Sequence, residues 1–340
     1  MEQFGDRRKF LRTSGVAALA AGAAPLIGKA GVAQAGTSSP RHGFGPVRQI
    51  DAGVLSQGYV ELGPANGRPV ILMHGFPYDI HSYEEVAPLL AARGYRVIGP
   101  YFRGHGSTTF KSASTPRNVD QAAFAVDILA LMDALGIRRA ILAGYDWGSR
   151  TADIIAALWP ERVKALVSVT GYLITNLAFN KEPLEPAAEN DWWYQYYFTT
   201  DRGVAGLTRY TSLMGEFIWK FNSPTWKFSD ATYARTAAAF TNTDYVPIVI
   251  GNYRWRLSLA PSEPEYADIE AKLQDAPPIA VPTITIDGKY DPFTPDGNGS
   301  SYRSHFTGKY RHRTFDVGHN VPQEAPREFA QAVVDADRMS

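Results

Sequence analysis

The chain has 340 residues, 45% of them hydrophobic, enough to bury a large core as one domain with a sizeable insertion or as two domains. Lysine plus arginine and aspartate plus glutamate both total 34, so charge gives no reason to expect nucleic acid or an anionic membrane surface as a partner. There is no cysteine, which excludes a disulfide framework and thiolate chemistry.

The N-terminus reads as a targeting segment. Asp6-Arg7-Arg8-Lys9-Phe10-Leu11-Arg12 places paired arginines before an apolar stretch from Val16 to Ile27, and Ala33-Gln34-Ala35 offers an A-x-A cleavage site. Residues 1–35 resemble a bacterial twin-arginine signal peptide, which implies export by the twin-arginine machinery, periplasmic or secreted. The apolar stretch is too short and too rich in Ala and Gly to span a bilayer, so no stable membrane anchor is expected after cleavage.

Residues 36–47 are rich in Gly, Ser and Pro and read as a linker. Gln49 to Leu62 predicts an edge hairpin, and Pro69–Met73, Tyr95–Gly99 and Ala140–Ala143 predict short buried strands. Val86–Ala92, Val119–Leu135 and Thr151–Leu158 have helical spacing. Val163–Thr170 and Ile279–Ile286 predict the next two strands. Strands alternating with helices indicate an α/β fold, a mostly parallel sheet with helices on both faces. Residues 48–171 and 281–340 form that core. Residues 172–280 are far longer than an ordinary connection and hold five of the seven tryptophans and half of the 18 tyrosines. They predict a mainly helical cap with aromatics lining an apolar cavity.

Gly144-Tyr145-Asp146-Trp147-Gly148 has the glycine spacing of a nucleophile elbow, a tight strand-to-helix turn that projects one side chain into an active site. The apex is Asp146. A carboxylate is poor at acyl transfer but can displace a leaving group from saturated carbon and form an ester with the substrate. Hydrolysing that ester needs a base and oxyanion donors. His319, in Asp316-Val317-Gly318-His319-Asn320, is the candidate base. Asp291, after the strand Thr283–Ile286, is its expected partner, with Asp287 the competitor. The donors should be the backbone N–H groups of Trp147 and of Phe76, in His74-Gly75-Phe76-Pro77. His74 and Arg103-Gly104-His105-Gly106-Ser107 read as scaffolding, and His42, His81, His305 and His312 as surface histidines.

These motifs, in this order and spacing, resemble the α/β-hydrolases of the epoxide hydrolase and haloalkane dehalogenase group over essentially everything after residue 45. The resemblance implies a two-step alkyl-enzyme mechanism, with Asp146 as nucleophile and the Asp291–His319 pair activating water. Epoxide hydrolases of this group use two cap tyrosines as proton donors to the opened ring. Trp193-Tyr194-Gln195-Tyr196-Tyr197-Phe198 looks like their Y-Q-x-Y-F segment and implies Tyr194. Asn252-Tyr253-Arg254 is similar to their N-x-Y-R segment, one residue shorter, and implies Tyr253. Trp147, Trp193 and Phe198 are expected to contact substrate. Phe76, where haloalkane dehalogenases often carry Asn, favours the epoxide branch. Tyr101 stands where the group usually has Asp.

The leading expectation is an exported epoxide hydrolase acting on a small apolar epoxide and water. The alternatives are a dehalogenase using the same triad and a non-catalytic binder of hydrophobic ligands. No metal-ligand cluster, G-x-G-x-x-G or Walker loop is present, so no cofactor is expected. A homo-oligomer is compatible with the sequence.

Overall fold

The structure is a computed structural model that describes residues 43–117, 119–294 and 297–340. The signal segment, most of the linker and His42 lie outside the described residues.

Nine strands form one sheet among the described residues: β1 (Arg48–Ala52), β2 (Leu55–Leu62), β3 (Arg68–Met73), β4 (Tyr95–Pro100), β5 (Thr109–Phe110), β6 (Ala140–Gly144), β7 (Val163–Val169), β8 (Thr283–Gly288) and β9 (Tyr310–Phe315). Their order is β1-β2-β4-β3-β6-β7-β8-β9, with β5 paired to β2. The pairs β1/β2, β2/β4 and β2/β5 are antiparallel, and every other pair is parallel. The central strands are continuous apolar runs because both their faces are covered. β6 is buried at all five positions, and Val70 to Met73 of β3 are buried throughout. Helices α1 (Val86–Ala91), α2 (Gln121–Ala134) and α3 (Trp147–Leu158) follow the early strands.

The predicted strand over Ile279–Ile286 starts late, at Thr283. Pro282 has no N–H to give to a ladder, and Ile279 makes only an isolated bridge to Phe306. Between β7 and β8 the described chain forms helices and loops. The helices are α4 (Pro186–Asp191), α5 (Trp193–Thr199), α6 (Asp201–Arg209), α7 (Thr211–Asn222), α8 (Asp230–Ala237), α9 (Tyr245–Arg256) and α10 (Ala267–Gln274). Short α11 (Val321–Glu324) and α12 (Pro326–Met339) close the chain.

Three of the histidines expected at the surface are engaged instead. His81 is half-buried, with Nδ1 2.7 Å from Asp79 Oδ2. His312 is half-buried against Thr285 and Tyr302, and His305 stacks on Tyr172 with ring centroids 4.0 Å apart. Tyr101 packs its ring over Gly106, where a Cβ would come within 2.5 Å of it.

Candidate active site

The C-terminal ends of β3, β6, β8 and β9 converge on one point, the usual place for chemistry in an open parallel sheet. At the end of β6 the chain turns into α3 within two residues, Tyr145 and Asp146. Asp146 has φ 53° and ψ −127°, a left-handed conformation that a non-glycine residue adopts only when its surroundings force it. The flanking glycines allow it. A Cβ on Gly148 would lie 1.9 Å from the Met73 carbonyl oxygen, so α3 can sit this close to β3 only with glycine there. Gly75 is equally constrained, since a Cβ would stand 2.2 Å from Asp146 Oδ1.

The bare Gly75 backbone lets the loop after β3 reach Asp146. The Phe76 N–H donates to Asp146 Oδ1 at 2.7 Å. The Trp147 N–H, in the first turn of α3, also favours the charged Asp146 carboxylate. Of the two amides predicted as oxyanion donors, Phe76 is thus hydrogen-bonded to this carboxylate and Trp147 lies beside it. The other oxygen, Oδ2, faces His319 Nε2 at 3.5 Å. Burial alone would raise the Asp146 carboxyl, but the His319 imidazole and the two amides hold it below its ordinary value.

His319 Nδ1 lies 2.7 Å from Asp291 Oδ2. Asp291, on the loop after β8, also accepts from the Phe293 N–H at 3.0 Å. Asp287 turns elsewhere: it accepts from the Tyr302 hydroxyl at 2.7 Å and lies 3.8 Å from His312. The loop carrying His319 is held by Glu324, which accepts from the Gly318 and Asn320 N–H groups, and by the Asn222 carbonyl, which accepts from the His319 N–H. Burial opposes a charged imidazole here, yet the carboxylates of Asp291 and Asp146 outweigh it and push His319 up to about 10. At neutral pH His319 therefore rests protonated between Asp146 and Asp291.

Tyr194 on α5 and Tyr253 on α9 are both buried, with ring centroids 5.6 Å apart. Both rings pack against Phe76, at 6.2 and 5.5 Å, and both feel the charge of Asp146. Phe198 completes this cluster, edge-on to Phe76 at 5.9 Å. Trp147 lies beneath it, stacked on Phe76 at 5.7 Å.

A cavity of about 710 Å³ opens beside the triad. Asp146, Trp147 and His319 line it, with Trp192, Phe293 and Tyr172 among its apolar walls. Trp193 and Phe198, both expected to contact substrate, do not line it, nor do Tyr194 and Tyr253: the Trp193 ring lies against Tyr197 and Phe217, whereas Trp192 stacks on Phe293 with centroids 4.0 Å apart. α4 ends and α5 begins at Trp192, and the break sends adjacent tryptophans in different directions. Nor is the cavity wholly apolar, since Arg150, Arg256 and His305 also face it. Tyr78 is a further neighbour absent from the sequence reading, its ring 6.3 Å from that of His319. Its only signal was its place directly after Phe76-Pro77. Among the described residues no cluster of three or more His, Asp or Glu side chains could hold a metal ion.

Comparison with known proteins places this geometry. The model of the alpha/beta hydrolase fold family matches residues 68–326. A crystal structure of a candidate epoxide hydrolase from Klebsiella pneumoniae is 58% identical, with a TM-score of 0.84 over 86% of this chain and 97% of that one. Epoxide hydrolase B of Mycobacterium tuberculosis is 24% identical over 79% of this chain and 91% of its own length. The pig bifunctional epoxide hydrolase 2 is 32% identical over 47% of this chain, and only 30% of that protein's length is spanned. The matched region takes in β3 through β9, the elbow, the two oxyanion amides and His319, and the chain belongs to the α/β-hydrolase fold family.

Proposed function

We propose that this protein hydrolyses epoxides to vicinal diols through an ester on Asp146. One observation carries the reading: Asp146 Oδ1 accepts from the Phe76 N–H while Oδ2 faces His319 at the cavity wall. Oδ2 attacks an oxirane carbon, the C–O bond breaks, and Tyr194 or Tyr253 gives a proton to the departing oxygen. Esterification removes the carboxylate charge that held the proton on His319. That proton replaces the one the tyrosine gave up, and the imidazole becomes a base. Water then adds to the ester carbon, one proton going to His319 and the oxyanion forming on Oδ1, where the Phe76 N–H already points. Collapse expels the diol oxygen, which takes the remaining proton of the added water, and restores the Asp146 carboxylate. Asp291 holds the imidazole in register throughout.

The test is a single turnover of His319→Gln protein with styrene oxide and with a chlorinated alkane, read by intact-mass spectrometry. An adduct of the whole epoxide mass on the Asp146 peptide is expected. Trp147 Nε1 is buried without a hydrogen-bond partner and would suit a departing halide, so an adduct from the chloroalkane alone would move the reading to dehalogenation. No adduct from either would overturn both.

The cap tyrosines make a separate prediction. Tyr194→Phe and Tyr253→Phe are each expected to lower kcat on epoxides about 10-fold, and the double variant about 10³-fold, by loss of the donors. Unchanged steady-state rates in the double variant would remove them from the scheme.

The paired arginines Arg7-Arg8 support export as part of the same reading. Replacing both with lysine is expected to leave the full chain in the cytoplasmic fraction of a bacterial host. Continued appearance in the periplasm would overturn the twin-arginine route.

A further inference from the structure

Arg150 lies one turn into α3 from the nucleophile and is 4% exposed, yet it faces the cavity. Its guanidinium makes one side-chain hydrogen bond, to Asn252 Oδ1 at 3.2 Å, and lies 5.8 Å from the Trp147 ring centroid. A guanidinium carries five N–H donors. No carboxylate comes within 4 Å of it among the described residues. Arg256 faces the same cavity over the Trp192 ring at 4.7 Å and is likewise without a carboxylate in that range. The two acids on the cavity wall are engaged elsewhere, Asp146 with Phe76 and His319, and Asp287 with Tyr302 and His312.

A buried charge costs several kcal/mol unless an opposite charge or a full set of hydrogen bonds compensates it. One bond to a neutral amide does not, and the carboxylates whose charge reaches Arg150, Asp146 and Glu270, lie beyond ion-pair distance. A purely structural role, bolting α3 to α9, would not need Arg150, because Asn252 is already anchored by donating to the Val119 carbonyl at 2.7 Å. Burial and the neighbouring charge of Arg256 push Arg150 down only to about 10, so it stays cationic at neutral pH. Opposite the arginines, Trp192 and Phe293 offer an apolar wall.

We propose that the substrate of this site carries a carboxylate, bound by Arg150 with Arg256 as the second guanidinium, and an apolar body against the Trp192–Phe293 wall. Joined to the epoxide reading, on which its full form rests, this names a class: epoxy acids with the carboxylate on the ring or a short carbon chain from it. Guanidinium and carboxylate match as planar, two-point partners, which a lysine cannot reproduce.

Two measurements on the full chain test this. Calorimetry with unreactive 3-phenylpropanoate and 3-phenylpropanamide should show the acid binding at least about tenfold tighter, since charge-assisted hydrogen bonds contribute about 1.5–3 kcal/mol. Arg150→Gln should abolish that preference, Arg150→Lys should restore part of it, and Arg256→Gln, at a less buried site, should reduce it several-fold. Kinetics with 3-phenylglycidate and its methyl ester should show the same ordering in kcat/KM, with the acid-to-ester ratio collapsing in Arg150→Gln. A structural role for Arg150 would lower both substrates alike and leave the ratio standing, which overturns the proposal. Equal binding of acid and amide by the unmodified protein also overturns it, whether or not epoxides are opened. Preferential binding of the acid with neither epoxide consumed would keep the anion site and sink the epoxide reading.

Discussion

Asp146→Asn is expected to lower kcat by about 10⁴-fold or more, because the bond-forming atom is gone and the residual rate comes from binding and the oxyanion amides alone. The fold should survive it. Asn keeps an oxygen for the Phe76 N–H, and the elbow strain lies in the backbone rather than the side chain. The variant should also change the titration of His319. Its folded pKa, about 10, lies above the ordinary value of 6.5, so its pairing stabilises the protein fully below about pH 6.5 and is lost as pH rises through about 10. Removing one of its two carboxylates leaves only Asp291, so in Asp146→Asn the loss should begin at lower pH. Imidazole NMR across pH 6 to 11 would follow it. An identical His319 midpoint in both proteins would mean that Asp146 does not hold that proton, and the proposed hand-over to the ester intermediate would fail.

The second large effect is on stability. A methyl group on Gly148 would collide with Met73 O at 1.9 Å, Met73 C at 2.5 Å and His74 O at 2.8 Å, all backbone atoms of the strand end that carries the oxyanion loop. None can swing aside as a side-chain tip could. Gly148→Ala is therefore expected to cost about 3 kcal/mol or more, a drop in thermal midpoint of roughly 5 °C for a chain of this size. Gly45→Ala, with nothing within 4 Å of the added carbon, is the control and should shift the midpoint by less than about 1–2 °C. The folded fraction of Gly148→Ala should also lose activity, because α3 cannot move off β3 without separating Trp147 from Phe76. A midpoint within about 2 °C of the parent would show that the elbow has more give than its contacts allow.

The sheet was legible because its strands are apolar on both faces and because G-x-D-W-G and H-G-F-P are local motifs whose geometry travels with them. Asp291 was harder. Two acids stand four residues apart, Asp287 near the end of β8 and Asp291 on the loop after it, and only the fold shows that Asp291 meets His319 while Asp287 turns toward Tyr302. The cap was legible as helical and aromatic but not in its facing. Trp192 and Trp193 are indistinguishable as letters, and the break between α4 and α5 decides which one reaches the cavity. Arg150 was invisible for a related reason. In sequence it is one cation in a helix, and nothing local says that an elbow turns it inward beneath a cap. The expectation of an apolar cavity came from counting aromatics, and such a count is blind to two guanidiniums placed among them.

The amide cradle has one more consequence. In serine-dependent relatives of this architecture the two N–H groups wait for the substrate's carbonyl oxygen. Here the Phe76 N–H is already taken, at 2.7 Å, by the enzyme's own carboxylate. An ester or amide arriving in the cavity would find its landing place filled and a nucleophile unsuited to its carbonyl. The resting enzyme thus blocks its scaffold's commonest reaction by self-occupancy, so carboxylic esters entering the same opening should leave it uncleaved.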